Sequence, residues 1–262
     1  MKRKKFIETT ALSSLTFMMG PGFHPFIGGG NSIHIPKKGF LRLEIEASNL
    51  MAQHKFYSNV LGLNCFFKRG ELKVFTGTTE ILFKENALKP SPFYHIAWGI
   101  PGNRLQEAKK WLRQRTALLC DSYGRDEFFF TPINRTGVYF KDPAGNILEF
   151  ICLHDLGEYD DKNNFDVDDI LFVNHVGIAV KDVFKEIEGI KNHLSMQYLG
   201  NLTKDFSKIG NDYEHITLVS ENRLWIPERK EPAQIFPMKI FLPSNIKKKY
   251  VIKDYPYQIM LG

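Results

Sequence analysis

One pattern of residues occurs twice in the chain and decides its fold. Residues 93–100 read Phe-Tyr-His-Ile-Ala-Trp-Gly-Ile, and residues 172–180 read Phe-Val-Asn-His-Val-Gly-Ile-Ala-Val. In both stretches large apolar residues alternate with histidine or small residues, which is the period of a β-strand with two different faces. A helical pattern of apolar residues follows each stretch. The repeat therefore predicts a chain built from similar units that each begin with such a strand.

An earlier unit begins near Gly39, because residues 41–46 (Leu-Arg-Leu-Glu-Ile-Glu) also alternate strictly. Short apolar stretches separated by turn signals follow each helical pattern, so each unit has the order strand, helix and three strands. The second unit closes with two strands joined by residues 142–146, Asp-Pro-Ala-Gly-Asn, which suit a tight turn. We predict the α+β class, with repeated βαβββ units in curved mixed sheets.

The length of 262 residues allows one large domain or two small ones. We predict a two-unit paired domain plus one extra single unit. The segments are an export signal and flexible spacer (residues 1–38), the two-unit domain (residues 39–154), an acidic linker (residues 155–170) and a third βαβββ-like unit with a C-terminal tail (residues 171–262).

The net charge of +6 and the isoelectric point of about 9.0 suit a nucleic-acid-binding protein at first sight. Half of this excess charge lies in residues 1–20, which hold four basic residues and one acidic residue. No stripe of basic residues interleaved with aromatic ones occurs elsewhere. We therefore expect no nucleic-acid partner.

Residues 1–20 have the layout of an export signal, with basic residues before a short apolar stretch. The string Arg3-Lys-Lys-Phe-Ile7 is similar to the twin-arginine consensus, with lysine in place of the second arginine. The apolar stretch is shorter than the ~20 residues of a membrane span. We expect a periplasmic protein without stable membrane anchoring after processing; the alternative is a cytoplasmic protein with a basic tail.

Three strings carry a resemblance to a known family: residues 56–63 (Phe-Tyr-Ser-Asn-Val-Leu-Gly-Leu), 94–98 (Tyr-His-Ile-Ala-Trp) and 138–150 (Val-Tyr-Phe-Lys-Asp-Pro-Ala-Gly-Asn-Ile-Leu-Glu-Phe). They resemble the vicinal oxygen chelate superfamily, which includes glyoxalase I, bleomycin- and fosfomycin-resistance proteins and extradiol dioxygenases. The resemblance implies a glyoxalase-like fold with a small-molecule ligand in a sheet cavity. It does not choose a reaction, because this superfamily contains several kinds of enzyme and also binding proteins.

In metal-using relatives, two histidines and one glutamate hold a divalent ion. Carried over to this chain, the resemblance implies His95 and Glu149 as metal ligands, with Fe, Mn, Ni or Zn as the candidate ion. Arg42 stands where the remaining histidine is expected, and a guanidinium cannot ligate a metal. Alternation places Arg42 and Glu44 on one face of the first strand. We expect that face to look into the same cavity as His95 and Glu149.

Three interpretations of these residues stay open. In the first, His95 and Glu149 hold a metal with Glu44 or water, Arg42 binds the substrate and stabilises negative charge, and Glu44 is the candidate base. Such an enzyme performs ring-cleaving oxygenation or glyoxalase-like proton transfer. In the second, Arg42 pairs with Glu149 or Glu44, and a metal-free cavity binds or sequesters a small carboxylate or phenolic compound. In the third, these polar residues only satisfy one another.

Two further residues belong to the prediction. Tyr139 is a candidate substrate-binding residue, because alternation points it towards the cavity. His175 has the position of His95 in the third unit, but the stretch 238–242, taken as the last strand of that unit, holds no carboxylate. A second metal site there would lack its acid. We expect the third unit to pack against the two-unit domain or to pair with its copy in a homodimer.

Overall fold

The computed structural model describes residues 39–87, 91–156 and 164–262. The predicted export signal and spacer, and residues 157–163 of the acidic linker, lie outside the described residues. Within the described ranges, every helix is too short or too polar to cross a membrane.

The first two units have the predicted order of one strand, one helix and three strands, whereas the third has only two strands after its helix. The first unit contains β1 (Arg42–Ala47), α1 (Leu50–Lys55), a π-helical turn (Phe56–Val60), β2 (Asn64–Lys68), β3 (Glu71–Thr76) and β4 (Thr79–Glu85). The second contains β5 (His95–Pro101), α2 (Leu105–Arg113), β6 (Phe128–Phe130), a 3₁₀ turn (Thr131–Ile133), β7 (Arg135–Lys141) and β8 (Ile147–Leu153). After a 3₁₀ turn (Val167–Asp169), the third contains β9 (Phe172–Val180), α3 (Val183–Leu194), β10 (Phe206–Gly210) and β11 (His215–Ser220). A partial fourth unit without a helix contains β12 (Met238–Leu242), β13 (Lys248–Val251) and β14 (Tyr257–Leu261).

The described strands form two seven-stranded mixed sheets. The first sheet has the order β13-β14-β12-β1-β4-β3-β2 and joins the first unit to the fourth. The second sheet has the order β10-β11-β9-β5-β8-β7-β6 and joins the second unit to the third. In each sheet the two opening strands pair antiparallel, β1 with β12 and β5 with β9. The predicted α+β class of repeated units in curved mixed sheets is confirmed.

The way the units combine into sheets differs from the predicted division into domains. The predicted two-unit domain supplies strands to both sheets, so the boundaries at residues 154 and 171 do not coincide with the division between the sheets. Met238–Leu242 is not the last strand of the third unit, because it is β12 and pairs with β1. The strand that closes the third unit is β11, which lies parallel to β9.

Two of the short apolar stretches that follow the helix of the third unit are not strands. Residues 196–199 make a single bridge, between Tyr198 and Ile209. Residues 223–226 belong to a connection that folds across the second sheet, where Trp225 is buried. Indole burial against the sheet replaces strand pairing there, because a flat aromatic ring removes a large apolar area from water.

Strand alternation gives the second sheet two buried faces. On β5, Ile96, Trp98 and Ile100 join the main core, which also contains buried residues of the first sheet and the helices. His95 and Ala97 point to the opposite face, as predicted from their parity. Every residue of β5 and β9 is buried, since both faces of these strands are covered. The face that carries His95 is therefore available for a site.

Candidate metal centre

The face of the second sheet that carries His95 lines a cavity of about 280 Å³. This volume lies near the lower end of ligand pockets, which typically measure ~300–1,000 Å³. Its walls are mostly apolar and include Phe130, Ile151, Phe206, Trp225 and Ile226. The polar residues that line it are His95, Tyr139, Glu149, His175, Asn201, Thr203, Lys208, Thr217 and Arg223.

Strand register explains why these polar residues lie side by side. One row across the sheet runs from His215 through His175, Ala97 and Glu149 to Tyr139. The next row runs from Lys208 through Thr217 and Gly177 to His95. Members of one row are about 4.8 Å apart from strand to strand, and the two rows share a face because they are two residues apart along each strand.

Three ligand atoms converge where these rows meet. The Nε2 atoms of His95 and His175 are 3.2 Å apart. Each of them lies 3.4 Å from Oε2 of Glu149. We call these three buried residues the His–Glu–His cluster, and their ligand atoms all lie within 4.8 Å of one another.

The outer nitrogens of both rings show which atoms are free to ligate. Nδ1 of His95 donates to the carbonyl of Ile147 at 3.1 Å. Nδ1 of His175 donates to Oδ1 of Asn174 at 3.1 Å, and the amide nitrogen of Asn174 donates to the carbonyls of Asp212 and Tyr213. With its proton on Nδ1, a neutral imidazole presents a lone pair at Nε2. Two such lone pairs and a carboxylate oxygen therefore face one another.

The electrostatics of the cluster suit a cation. Burial lowers the pKa of His175 to about 4, so its ring is neutral at pH 7. Burial acts to raise the pKa of Glu149, but the imidazoles of His175 and His95 beside it outweigh burial and lower the pKa, so the group is a carboxylate at pH 7. The other oxygen of Glu149, Oε1, is buried without a hydrogen-bond partner among the described residues. A divalent ion fits this donor set, because it satisfies lone pairs that otherwise repel.

Neighbouring aromatic groups complete the site. The ring of Tyr139 lies 6.2 Å from the ring of His95. Burial and the negative charge of Glu149 raise the pKa of Tyr139, which keeps its hydroxyl protonated. The ring of His215 stacks on that of His175 at 4.7 Å and 19°. These contacts hold both ligand rings in place before any ligand binds.

Glycines leave room for the groups of the cluster. A Cβ atom at Gly137 would lie 2.2 Å from Oε1 of Glu149, so only glycine permits the carboxylate to sit there. A Cβ atom at Gly177 would lie 2.4 Å from the indole of Trp225 and 3.3 Å from Cβ of His95. Trp225 therefore rests directly on the sheet backbone and covers the cluster from one side.

The position of Trp225 leads to the first prediction. We expect Gly177→Ala to displace the indole and to lower the free energy of unfolding by about 1–3 kcal/mol, the usual cost of overpacking. Urea unfolding measures the loss, and tryptophan fluorescence reports the displaced indole.

A matched control is Gly189→Ala in α3, where the new Cβ meets only the hydroxyl end of Tyr250 closely. Alanine is the better helix former by about 1 kcal/mol, so this variant should be at least as stable as the wild type. Unchanged stability and fluorescence in Gly177→Ala would contradict the packing of Trp225 on the sheet.

Arg42 and Glu44 lie on the first sheet and are not among the residues that line this cavity. Arg42 forms an ion pair with Glu44 at 2.8 Å, and Glu44 also forms ion pairs with Lys84 at 2.9 Å and with Lys239 at 3.5 Å. Partial burial acts to raise the pKa of Glu44, but these three cations outweigh it and lower the pKa. The expectation that Arg42 and Glu44 face the cavity of His95 and Glu149 is therefore corrected, because β1 pairs with β12 and not with β5.

Register shows what replaces the cluster on the first sheet. Glu44 of β1 pairs with Lys239 of β12, as Ala97 of β5 pairs with His175 of β9. Arg42 and Lys239 thus stand at the positions that His95 and His175 have in the second sheet. At these positions the first sheet holds a network of ion pairs, whereas the second sheet holds residues that can ligate a metal.

The structure brings His95, Glu149 and Tyr139 together, as expected, and adds His175. Sequence reasoning missed His175 because it assigned the wrong last strand to the third unit and looked for a separate acid there. The available signal was the shared position of His95 and His175 in the repeat. Thr217 pairs with Gly177 as Glu149 pairs with Ala97, so a threonine occupies the position of a second carboxylate.

Two curved mixed sheets built from repeated units, one with a polar cluster in a cavity, match the glyoxalase-like α+β fold that was expected from the sequence. A "putative dioxygenase" from Bacillus subtilis subsp. subtilis str. 168 has a similar structure, with a TM-score of 0.56, 13% identity, and 86% of each chain covered. A glyoxalase I mutant from Zea mays is also similar, with a TM-score of 0.50, 11% identity, and coverage of 86% of this chain and 93% of the other. At these identities the likeness concerns the fold alone.

No protein-family model and no curated protein sequence matches this chain.

Proposed function

We propose that this protein is a metal-dependent enzyme that acts on a small oxygen-bearing organic molecule in the cavity of the second sheet. The observation that carries the proposal is the His–Glu–His cluster, with both Nε2 atoms 3.4 Å from one carboxylate oxygen. Two histidines and one carboxylate leave further coordination positions open, which is typical of non-haem iron oxygenases. The location outside the cytoplasm stays a prediction, because residues 1–20 lie outside the described residues.

The chain's own residues have distinct parts in this function. His95, His175 and Glu149 would hold the ion, and the acceptors at both Nδ1 atoms fix the rings and raise their basicity. A bound ion supplies a Lewis acid, and iron or manganese supplies redox chemistry as well. Trp225 covers the cluster and excludes water, and the apolar walls hold the organic part of the ligand.

Ring-cleaving oxygenation is the reaction that the cavity favours over glyoxalase-like proton transfer. Proton abstraction needs a base next to the substrate carbon. Among the described residues that line the cavity, Glu149 is the only carboxylate, and it belongs to the cluster. Glu44, the base candidate from the sequence, lies on the other sheet. Oxygen uptake with aromatic vicinal diols, compared with isomerisation of hemithioacetals, distinguishes the two reactions.

Metal titration of wild type and Glu149→Gln tests the proposal. We expect the metal-free wild type to take up one Fe²⁺, Mn²⁺, Ni²⁺ or Zn²⁺ per chain under anaerobic conditions. Replacing the carboxylate should weaken binding by more than about 100-fold, since even residues that only orient ligands change affinity by 10–100-fold. Elemental analysis gives the stoichiometry, and thermal unfolding with added ions gives the stabilisation.

Glu44→Gln is the matched control, because it makes the same substitution in the ion network of the first sheet. It should bind metal as the wild type does. Wild-type protein that takes up no ion, with a melting temperature unchanged by any of the four metals, would contradict the proposal. That outcome would favour the alternative of a metal-free protein that binds or sequesters its ligand.

A further inference from the structure

Two cations line the cavity beside the His–Glu–His cluster, and both lack a partner of opposite charge. Lys208 and Arg223 form no side-chain hydrogen bond and no ion pair with any described residue. Burial lowers the pKa of both side chains. Holding two cations partly out of water without a counter-ion is unfavourable, so an anion that reached them would gain charge-assisted hydrogen bonds.

Lys208 lies in the same row of the sheet as His95. The row passes from Lys208 on β10 through Thr217 and Gly177 to His95, which is three strand spacings or about 14 Å between backbones. Glu149 acts on Lys208 electrostatically and raises its pKa, although burial outweighs this effect. The backbone of Lys208 therefore lies three strands from His95, while its ammonium group is near enough to Glu149 and His175 for their charges to interact.

Arg223 reaches the same side of the cavity from the connection that carries Trp225. Its guanidinium carbon lies 5.1 Å from the centre of the Phe206 ring, and Nζ of Lys208 lies 5.6 Å from the same centre. The exposed Asp205 acts on Arg223 from a distance and raises its pKa, whereas Arg229 lowers it. Two cations beside one aromatic ring make a site for an anionic group next to an apolar surface.

The connection that bears Arg223 is held in place, so the backbone from which this side chain reaches the cavity is defined. Lys141 pairs with Glu228 at 3.0 Å and with Glu231 at 2.6 Å. The backbone of Trp225 donates to the carbonyl of Glu231, and Ala233 donates to the carbonyl of Arg223. Because the backbone is already ordered, only the side chain of Arg223 loses freedom when it binds an anion, which favours affinity.

We propose that Lys208 and Arg223 form an anion subsite, and that the ligand is a small, flat, apolar molecule with a carboxylate at the end opposite the His–Glu–His cluster. This inference rests on the proposed function, because it assigns the substrate class of the same cavity. The lining carries the two cations Lys208 and Arg223 and the carboxylate of Glu149, and a divalent ion at the cluster would add further positive charge. The apolar walls between the two ends suit an aromatic ring.

Matched probes of one shape but different charge test the subsite. The pair is 3,4-dihydroxybenzoate and the neutral 3,4-dihydroxybenzamide, titrated by calorimetry into the zinc-loaded and the metal-free protein. We expect the wild type to bind the carboxylate at least about tenfold more tightly than the amide, the effect of one charge-assisted hydrogen bond or more. Lys208→Met and Arg223→Met should each lose most of that preference while binding the amide as before.

Two further variants separate the subsite from general charge effects. Lys204→Met removes an exposed lysine nearby that does not line the cavity, and it should keep the full preference. Lys208→Arg restores the charge and should keep most of it. If the wild type binds both probes equally, or if Lys208→Met and Arg223→Met keep the preference, the anion subsite is wrong while the proposed function stands. If neither probe binds the wild type, the anion subsite is wrong, whereas the metal titration decides the proposed function independently.

Discussion

His175→Ala should abolish metal binding as completely as His95→Ala, although the two histidines belong to different units of the chain. Each variant removes one of three ligand atoms that converge within 4.8 Å. We expect either substitution to weaken metal binding by more than about 100-fold. The increase in melting temperature that the wild type shows with added metal should vanish in both variants. Elemental analysis and thermal unfolding measure the two effects.

Two controls make this result specific to the strand pairing of the second sheet. His193→Ala removes an exposed histidine of α3, and Arg42→Ala removes the residue that stands at the first-strand position in the first unit. Both should retain one ion per chain at wild-type affinity. If His175→Ala bound metal as the wild type does, a centre built across β5 and β9 would be excluded. Loss of metal in Arg42→Ala would instead support a centre that includes the first strand.

Replacing Asp142 with alanine should cause one of the largest losses of stability in the protein. Its buried carboxyl group accepts hydrogen bonds from the side chains of Gln53 at 2.8 Å, Tyr57 at 2.7 Å and Asn146 at 2.6 Å. It also accepts two backbone bonds in the turn between β7 and β8, from Ala144 and Asn146. Without it, Gln53 and Tyr57 lose an acceptor in the core, where each unsatisfied group costs about 1–3 kcal/mol. We expect a total loss of about 3–5 kcal/mol.

Urea unfolding monitored by circular dichroism measures this loss. Asp142→Asn keeps an acceptor of the same shape and should lose less. Asp121→Ala is the control, because Asp121 also closes a turn, accepting from Tyr123 and Arg125, but at the surface. Its effect should be far smaller than that of Asp142→Ala. A loss in Asp142→Ala no larger than that in Asp121→Ala would show that the buried network does not stabilise the hairpin that carries Tyr139 and Glu149.

Local patterns account for most of the elements. Asn49 accepts from the backbone of Ala52, and Asp182 accepts from that of Lys185, so α1 and α3 each begin at a capping side chain that is readable from the sequence. The turn at residues 142–146 is also confirmed. The apolar stretches 196–199 and 223–226 are not strands, because the first meets β10 only at the bridge between Tyr198 and Ile209, and the second buries the indole of Trp225 against the sheet. Propensity alone cannot supply such tertiary context.

The sequence patterns did not reveal the partial fourth unit. It has no helix, so the alternation of strand and helical patterns that revealed the other units does not continue there. Its opening strand was therefore assigned to the third unit, which led to the wrong conclusion that His175 lacked an acid. The acid is Glu149, supplied by the neighbouring unit.

By itself, the sequence determined the repeated units, the faces of their strands and the candidate ligands His95 and Glu149, because each of these depends on residues close together in the chain. Only the tertiary structure decided which opening strands pair. The strand that contains Arg42 and the strand that contains His175 both alternate in a way that would allow pairing with β5. Local sequence cannot choose between them, because long-range pairing is set by the packing of whole sheets. That pairing placed His175 in the centre and left Arg42 in an ion network on the other sheet.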